Sequence, residues 1–437
     1  AKSFEELERS FTPECRRWLA AHDLQPTPGA NLETWSNRLR AKAFQAFGRT
    51  IIESVEEPPP PPRLALRTDE IVWGRAPVRL DWAGGWTDTP PYTLEHGGSV
   101  VNTAVNLNGL PPIQVYGRRI DQPVIRLSSI DQGVHVEISS LAELLDYRRP
   151  DSEFALAKAS LAISGFSPEA AAWKPNTTLR AMLEAFGGGI ELTTLAAVPK
   201  GSGLGTSSIV GAVILSVIQR ILGRSLQGRE LFHNVLRLEQ ALTTGGGWQD
   251  QIGGAVGGTK IISTQPGLIP DPTIHYLPSD LIDPNANGGV TLIYYTGITR
   301  LAKNILEQVV GRYLNRDRRA LASLRGIHDL APAMANAISR KDLAEFGRLT
   351  DFSWKLNKEL DPNSTNPEIE SVMARIQPFI HGAKLVGAGG GGFMCIVCRS
   401  PRDAERLRTE LEADPPNPRA RFFDFNINTE GLVVTVC

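Results

Sequence analysis

PKGSGLGTSS, Pro199 to Ser208, runs directly into the apolar stretch IVGAVILSVIQRIL, Ile209 to Leu222. Its three glycines, Gly201, Gly203 and Gly205, let the backbone curl tightly and approach a ligand without Cβ interference. Thr206, Ser207 and Ser208 are N-cap residue types ahead of the helix that the apolar run predicts. Free N–H groups and the positive end of a helix dipole meet at such a junction and favour a bound anion. The preceding GIELTTLAAV, Gly189 to Val198, is rich in β-branched and apolar residues and predicts a strand. Strand, glycine loop and buried helix in that order predict a phosphate cradle over Lys200, Gly201, Ser202, Gly203, Leu204, Gly205, Thr206 and Ser207. No Gly-Lys-Ser/Thr follows the loop, so the lysine-bearing cradle of P-loop proteins is absent. A glycine-rich loop alone is as often a plain turn, and its surroundings must decide.

Those surroundings carry carboxylates. In GRELFHNVLRLEQAL, Leu231, Val235, Leu238 and Leu242 share one helix face, and Glu239 stands beside that stripe near the helix end. Asp250 lies eleven residues further on, in GGGWQDQIGG. Phosphoryl transfer uses two such acids, one to ligate Mg²⁺ and one to orient the attacking hydroxyl or accept its proton. Gly245 to Gly247 on one side and Gly253 and Gly254 on the other predict close backbone approach around Asp250. Taken singly, each acid reads more readily as a solvated surface group.

The 437 residues suffice for more than one domain, and 41% hydrophobic with 21% charged residues describes an ordinary globular chain. A net charge of −1 argues against broad attraction to nucleic acid or an anionic membrane. Four cysteines make no disulfide framework. Cys395 and Cys398 lie in FMCIVC, an apolar strand that sends them to opposite faces as buried thiols. Chemistry without disulfide staples fits a reducing, cytoplasmic setting. No signal peptide opens the chain, and no apolar run reaches the ~18 residues of a membrane span. The chain begins at Ala1 without an initiator Met and is expected to be a piece of a longer protein.

Residues 1–62 read as a helical arm, with amphipathic runs FEELERSF, PECRRWLAAH and LETWSNRLRAKAFQAFGRTIIESV, closed by five prolines, Pro58 to Pro62. That run predicts an extended spacer. Beyond it, strands and helices mix without strict alternation, which predicts an α+β fold with largely antiparallel sheets.

Three glycine-bearing motifs follow one another: APVRLDWAGGWTDTP (Ala76 to Pro90), PKGSGLGTSS, and KLVGAGGGGFMCIV (Lys384 to Val397). In that order they resemble the GHMP kinase superfamily, across Glu70 to Cys437. The resemblance implies two α+β domains, 63–275 and 276–437, with the active site in the cleft between them. It implies ATP as phosphoryl donor, Ser207 and Glu239 as Mg²⁺ ligands, Asp250 as base or positioning carboxylate, and Arg79 as the cation near the acceptor. Where many sugar kinases of this kind carry Glu-His, this chain has Gly85 and Trp86. AGGWTDTPP, WQDQIGG and TGITRLAKNIL are similar to the L-fucokinases, including the kinase half of bifunctional L-fucokinase/GDP-fucose pyrophosphorylases. The heptose 7-phosphate kinases, which lack the tryptophan, are less similar.

That likeness implies phosphorylation of the anomeric hydroxyl of L-fucose, with Arg79, Trp86, Thr87, Asp88, Asp250, Gly389 and Gly390 around the sugar. Trp86 or Trp82 would give the C6 methyl an apolar wall, and Asp88 would accept hydrogen bonds from hydroxyls. Trp86 reads equally well as a core aromatic. A nucleotidylyltransferase domain fused upstream, with the arm as linker, is also implied; nucleic acid and membrane are not. Alternatives of other kinds are a heptose-phosphate kinase and a sugar and ATP sensor without turnover. Gly387 to Gly392 formally satisfies the dinucleotide fingerprint G-x-G-x-x-G, but that fingerprint needs a helix next, and FMCIVC predicts a strand.

Overall fold

The computed structural model describes residues 12–21, 23–25, 34–36, 38–39, 42, 60–149, 152–170, 173–174, 176–242, 246–267, 269–299 and 302–437, with the backbone alone over 302–307. The chain forms two units, Ala1–Ser54 and Val55–Cys437. In the first, the helix Pro13–Ala21 buries Leu19 with Leu24 and Trp35, and the Trp35 indole donates to the Leu24 carbonyl at 2.8 Å. FEELERSF, most of the long run from Leu32 to Val55, and Pro58 and Pro59 lie outside the described residues.

Among its described residues, the second unit is built on three sheets. Fifteen strands take part: β1 (Ile71–Ala76), β2 (Val78–Ala83), β3 (Gly98–Leu107), β4 (Ile113–Ile120), β5 (Ile125–Ser129), β6 (Val134–Ile138), β7 (Gly189–Ala196), β8 (Thr259–Thr264), β9 (Thr273–Leu277), β10 (Thr291–Tyr295), β11 (Ile380–Leu385), β12 (Phe393–Cys398), β13 (Arg421–Phe423), β14 (Phe425–Ile427) and β15 (Val433–Val436). One sheet runs β15-β1-β4-β7-β5-β6, a second β11-β12-β10-β13, and a third β14-β3-β8-β9 with β2 also paired to β3. Every pair described is antiparallel except β5 with β7. The fold is therefore the α+β arrangement expected of these sequence patterns. All six residues of β2 are buried, as suits a strand covered on both faces.

Five helices position the site: α1 (Thr206–Ile221), α2 (Gly228–Ala241), α3 (Gln249–Ala255), α4 (Arg318–Ser339) and α5 (Leu343–Leu360). α1 lies close on the first sheet because Gly74 and Gly117 leave room for it. A Cβ on either glycine would fall 2.6 Å from a Val217 methyl. The helix starts differently from expectation. Gly205, at φ 72°, takes the N-cap, and Thr206, Ser207 and Ser208 fill the first turn instead of capping it. The loop turns left-handed at Gly205, and a Cβ there would stand 3.0 Å from the carboxyl carbon of Asp250, distant in sequence.

The glycines of the third motif join β11 to β12 as an antiparallel hairpin. A strand, not a helix, follows them, so the dinucleotide reading is excluded. On β12, Cys395 packs in the large core between the sheets and helices, whereas Cys398 packs in a separate cluster with Val290, Leu292 and Trp354. Burial pushes both thiols up to about 12.

The chain end does not stay with the second half. β14 pairs with β3 and β15 with β1, so Phe425–Val436 completes sheets begun before residue 110. The described end of the proline run is also no free spacer, because the carbonyls of Pro60 and Pro61 accept from Arg224 at 2.8 and 2.9 Å.

Candidate active site

The glycine loop is gripped from two sides. The Phe393 N–H of β12 donates to the Ser202 carbonyl at 2.9 Å, and a Cβ on Gly203 (φ 78°) would sit 2.3 Å from the Val386 carbonyl. From β2, Arg79 donates through Nη1 to the Gly203 carbonyl at 2.6 Å. Its Nε and Nη2 both donate to Asp250 Oδ1, at 2.9 and 2.7 Å. One side chain thus ties the loop to the first residues of α3. Burial opposes the Arg79 charge, but Asp250, Asp81 and Asp88 outweigh it, so its pKa lies above the usual arginine value. Arg79 is 3% exposed and Asp250 28%, so the carboxylate is the member of the pair that solvent or substrate reaches.

Two further acids crowd this pair. Asp88 is buried; its Oδ1 accepts from the Trp86 N–H and the Gln249 side chain, and its Oδ2 from the Gln249 N–H. Burial, then the charge of Asp250, pushes it up to about 7. Glu239, on α2, is also buried and is pushed up to about 8 by burial, although the Ser208 hydroxyl donates to its Oε1. Gly246 and Gly247 are required by this packing: a Cβ on each would lie 2.2 Å from Glu239 Oε2 and 2.0 Å from Asp88 Oδ2.

The structure brings only some of the residues named from sequence together. Arg79, Asp88 and Asp250 come together, with Glu239 close enough to feel the charge of both acids. In the loop, Leu204 is buried, and the Ser202 and Thr206 hydroxyls sit 3.2 Å apart. Gly201 and Ser207 are exposed, and Gly205 lies against Asp250. The serine that reaches Glu239 is Ser208, one residue beyond the Ser207 that the resemblance pairs with it. Lys200 is exposed and donates to Gln132 in the β5–β6 turn at 3.1 Å. Thr87 is fully buried, its hydroxyl donating to the Gly84 carbonyl at 2.7 Å and accepting from the Ser99 N–H at 3.0 Å. That hydroxyl holds the first motif's turn.

Trp82 and Trp86 differ in exposure, although both pack on the large core. Trp82 has no exposure, its indole donates to Thr103, and its ring meets Phe346 at 4.9 Å, so it belongs to the core. Trp86 is half-buried at φ 84°, on the turn that carries Asp88. Gly389 and Gly390 rest on Ser364, whose carbonyl accepts from the Gly390 N–H.

Sequence reasoning missed three participants. Gln249 braces Asp88 with both backbone and side chain, and Ser208 serves Glu239. Lys384 pairs with Asp81 at 3.1 Å, both almost wholly buried, and joins β11 to β2. A lone acid inside the apolar strand VRLDWA was the available signal, since such a group stays buried only when paired.

Among the described residues no three His, Cys, Asp or Glu side chains form a group that could hold a metal ion. Asp88 and Asp250 both act on Arg79, and Glu239 senses the charge of both acids; burial first, with like charge adding to it, raises Asp88 and Glu239. The Glu239 carboxylate and the Ser208 hydroxyl beside it are hard oxygen donors that fit Mg²⁺, which takes one or two protein ligands and completes its shell with water and phosphate. An anion cradle beside an arginine-held carboxylate can seat a phosphoryl donor and orient a hydroxyl.

Residues 172–258 match the family model for the GHMP kinases N-terminal domain, and 334–417 that for the GHMP kinases C-terminal domain. The chain is 42% identical over 90% of its length to the L-fucokinase/L-fucose-1-P guanylyltransferase of Bacteroides fragilis, and spans 41% of that protein. It is 35% identical over 77% of its length to the bifunctional fucokinase/GDP-fucose pyrophosphorylase of Arabidopsis thaliana, and spans 30% of it. In structure it resembles the D-glycero-D-manno-heptose 1-phosphate kinase of Bacteroides thetaiotaomicron, with a TM-score of 0.61 and 19% identity over 83% of this chain and 98% of that one.

Proposed function

We propose, from the premise that this chain belongs to the GHMP kinases, that it transfers the γ-phosphoryl group of ATP to the anomeric hydroxyl of L-fucose, giving fucose 1-phosphate and ADP. The observation that carries the chemistry is the Arg79–Asp250 pair, held against the Gly203 carbonyl at the start of α1. The sugar is supported by the likeness to two fucokinases at 42% and 35% identity. The heptose kinase shares the fold at 19% identity, which leaves the acceptor open to difference.

In this reading, backbone N–H groups of Gly201 to Ser207 receive the phosphate chain at the positive end of α1. Bound Mg²⁺ would offset phosphate charge, with Glu239 and the neighbouring serine hydroxyls of Ser207 and Ser208 as its protein ligands. Asp250 orients the anomeric hydroxyl and takes its proton as the O–P bond forms. Arg79 fixes Asp250 Oδ1, which leaves the other oxygen to face the acceptor. Asp88 and the Trp86 ring form the sugar side of the site, the ring against the C6 methyl. Fucose 1-phosphate is the acceptor of a nucleotidyl transfer. A fused nucleotidylyltransferase domain and a cytoplasmic salvage role therefore accompany the proposal. The test is a coupled ADP-release assay across L-fucose, D-arabinose, D-galactose, D-mannose and a heptose 7-phosphate. L-Fucose should give the highest kcat/KM, and preference for the heptose phosphate would overturn the assignment.

A further inference from the structure

A cavity of about 640 Å³ opens at the N-terminal end of the glycine loop, bounded by Pro199 to Gly201 on one side and by Tyr295, Arg419, Arg421 and Phe423 on the other. That size suits a nucleotide-sized ligand. Its ten lining residues include three cations, Lys200, Arg419 and Arg421, and no carboxylate. Lys200 is already engaged with Gln132. The two arginines are exposed, and neither pairs with an acid among the described residues. Arg421 is nonetheless held in place. Its guanidinium stacks 4.7 Å from the Phe423 ring centroid and 5.8 Å from that of Tyr295, and Nη1 donates to the Arg419 carbonyl at 3.1 Å. Stacking on buried rings fixes the plane of the fork and leaves Nε and Nη2 for a ligand.

Two guanidinium groups facing a glycine loop, one of them pre-oriented and neither paired with an acid among the described residues, suit phosphate oxygens. We propose that Arg419 and Arg421 clamp the polyphosphate of the nucleotide donor, closing on it from β13 while the glycine loop holds it from the other side. This rests on the kinase reading above. The cavity and the loop share Pro199 to Gly201, so a phosphate chain lying along the loop passes in front of both arginines. The arginines are positioning residues for the donor and stand apart from Asp250 and the acceptor.

The test is calorimetric titration of ADP, AMP and adenosine into the full chain, for wild type, Arg419→Gln/Arg421→Gln and Arg421→Lys. The double variant should lose ADP affinity by about 10- to 100-fold, as expected for two charge-assisted contacts. It should bind adenosine as wild type does and keep its sugar KM. Arg421→Lys, which keeps charge but loses the fork, should fall between. In turnover the loss should appear in KM for ATP, with kcat at saturating ATP little changed. ADP affinity within twofold of wild type in the double variant overturns the clamp. So does an equal loss for ADP and adenosine, which would make the cavity a nucleoside site. Wild-type chain that binds no ADP overturns the kinase reading and the clamp together. Both side chains are exposed, so an unchanged melting temperature serves as the folding control.

Discussion

Asp250 and Asp88 are neighbours in charge but take opposite parts. Asp250→Asn keeps an oxygen for Arg79 yet removes the carboxylate that we propose takes the acceptor proton. Its kcat should fall by about 10²- to 10⁴-fold with KM for ATP unchanged, as for general-base groups elsewhere. A variant with wild-type kcat would remove Asp250 from the mechanism. Asp88 is read by pH. It faces Asp250, Asp81 and Arg79, with Glu239 sensing its charge, and it accepts N–H bonds from Trp86 and Gln249. Burial and Asp250 win, raising it to about 7. A carboxyl raised on folding contributes stability below its ordinary pKa, and that contribution is lost as pH rises through 7. The melting temperature of the ligand-free chain should therefore drop between pH 5 and 8 more steeply in wild type than in Asp88→Asn, where this group no longer titrates. Parallel curves would mean that Asp88 stays ionised throughout. Trp86 belongs at this scale too, because Trp82 is closed into the core, whereas Trp86 is half-buried, packed on that core from the turn that carries Asp88. Trp86→Ala should lower the L-fucose to D-arabinose ratio of kcat/KM by about tenfold to a couple of hundredfold, the worth of one methyl in an apolar pocket. Equal losses on both sugars would assign the ring to packing.

At the level of elements, the glycine loop is rigid because other backbone occupies the space around it. Gly203→Ala meets two costs, a positive φ and a Cβ 2.3 Å from the Val386 carbonyl, so the loop must leave the β11–β12 hairpin. KM for ATP should rise by about tenfold or more, with a lower melting temperature. Gly109→Ala is the matched control: φ is 84° there too, but nothing lies within 4 Å, so only about 1–2 kcal/mol of backbone strain applies and KM should hold. Identical behaviour of the two variants would show that the hairpin contact does not shape the loop. Much of this element level was legible beforehand. The spacing of Leu231, Val235 and Leu238 marked the buried face of α2, and FMCIVC marked a strand with Cys395 and Cys398 on opposite faces. Local pattern could not give the start of α1, because the left-handed turn at Gly205 that opens it packs tightly against Asp250, far along the chain. Nor could it give Asp81 with Lys384, or Gln249 with Asp88. Those pairs are joined across strands and loops, and only the assembled fold brings them within reach.

Over the whole molecule, the question is where the catalytic body begins. The proline run suggested a boundary after Pro62, and the structure argues for one before it. Val55–Cys437 forms one unit, completed by β14 and β15 from the far end of the chain. Within that unit the carbonyls of Pro60 and Pro61 accept from Arg224, Pro62 lies beside Gly165, and Ala65 donates to the Ile221 carbonyl at the end of α1 at 3.0 Å. These prolines thus brace the C-terminal end of the helix whose other end carries the glycine loop. Two truncations separate the alternatives. A chain of residues 55–437 should fold, keep its melting temperature within a few degrees, and phosphorylate sugar at the full-length rate. A chain of residues 63–437 loses both carbonyl partners of Arg224, and hydrogen bonds to a charged group contribute about 1.5–3 kcal/mol each. Exposure on that side tempers the loss, so the shorter chain should melt a few degrees lower while its KM values stay put, the acids and the glycine loop being untouched. If 55–437 is insoluble or inactive while the full chain works, the first unit is part of the catalytic body. If 63–437 melts with 55–437, the prolines are a passive spacer after all.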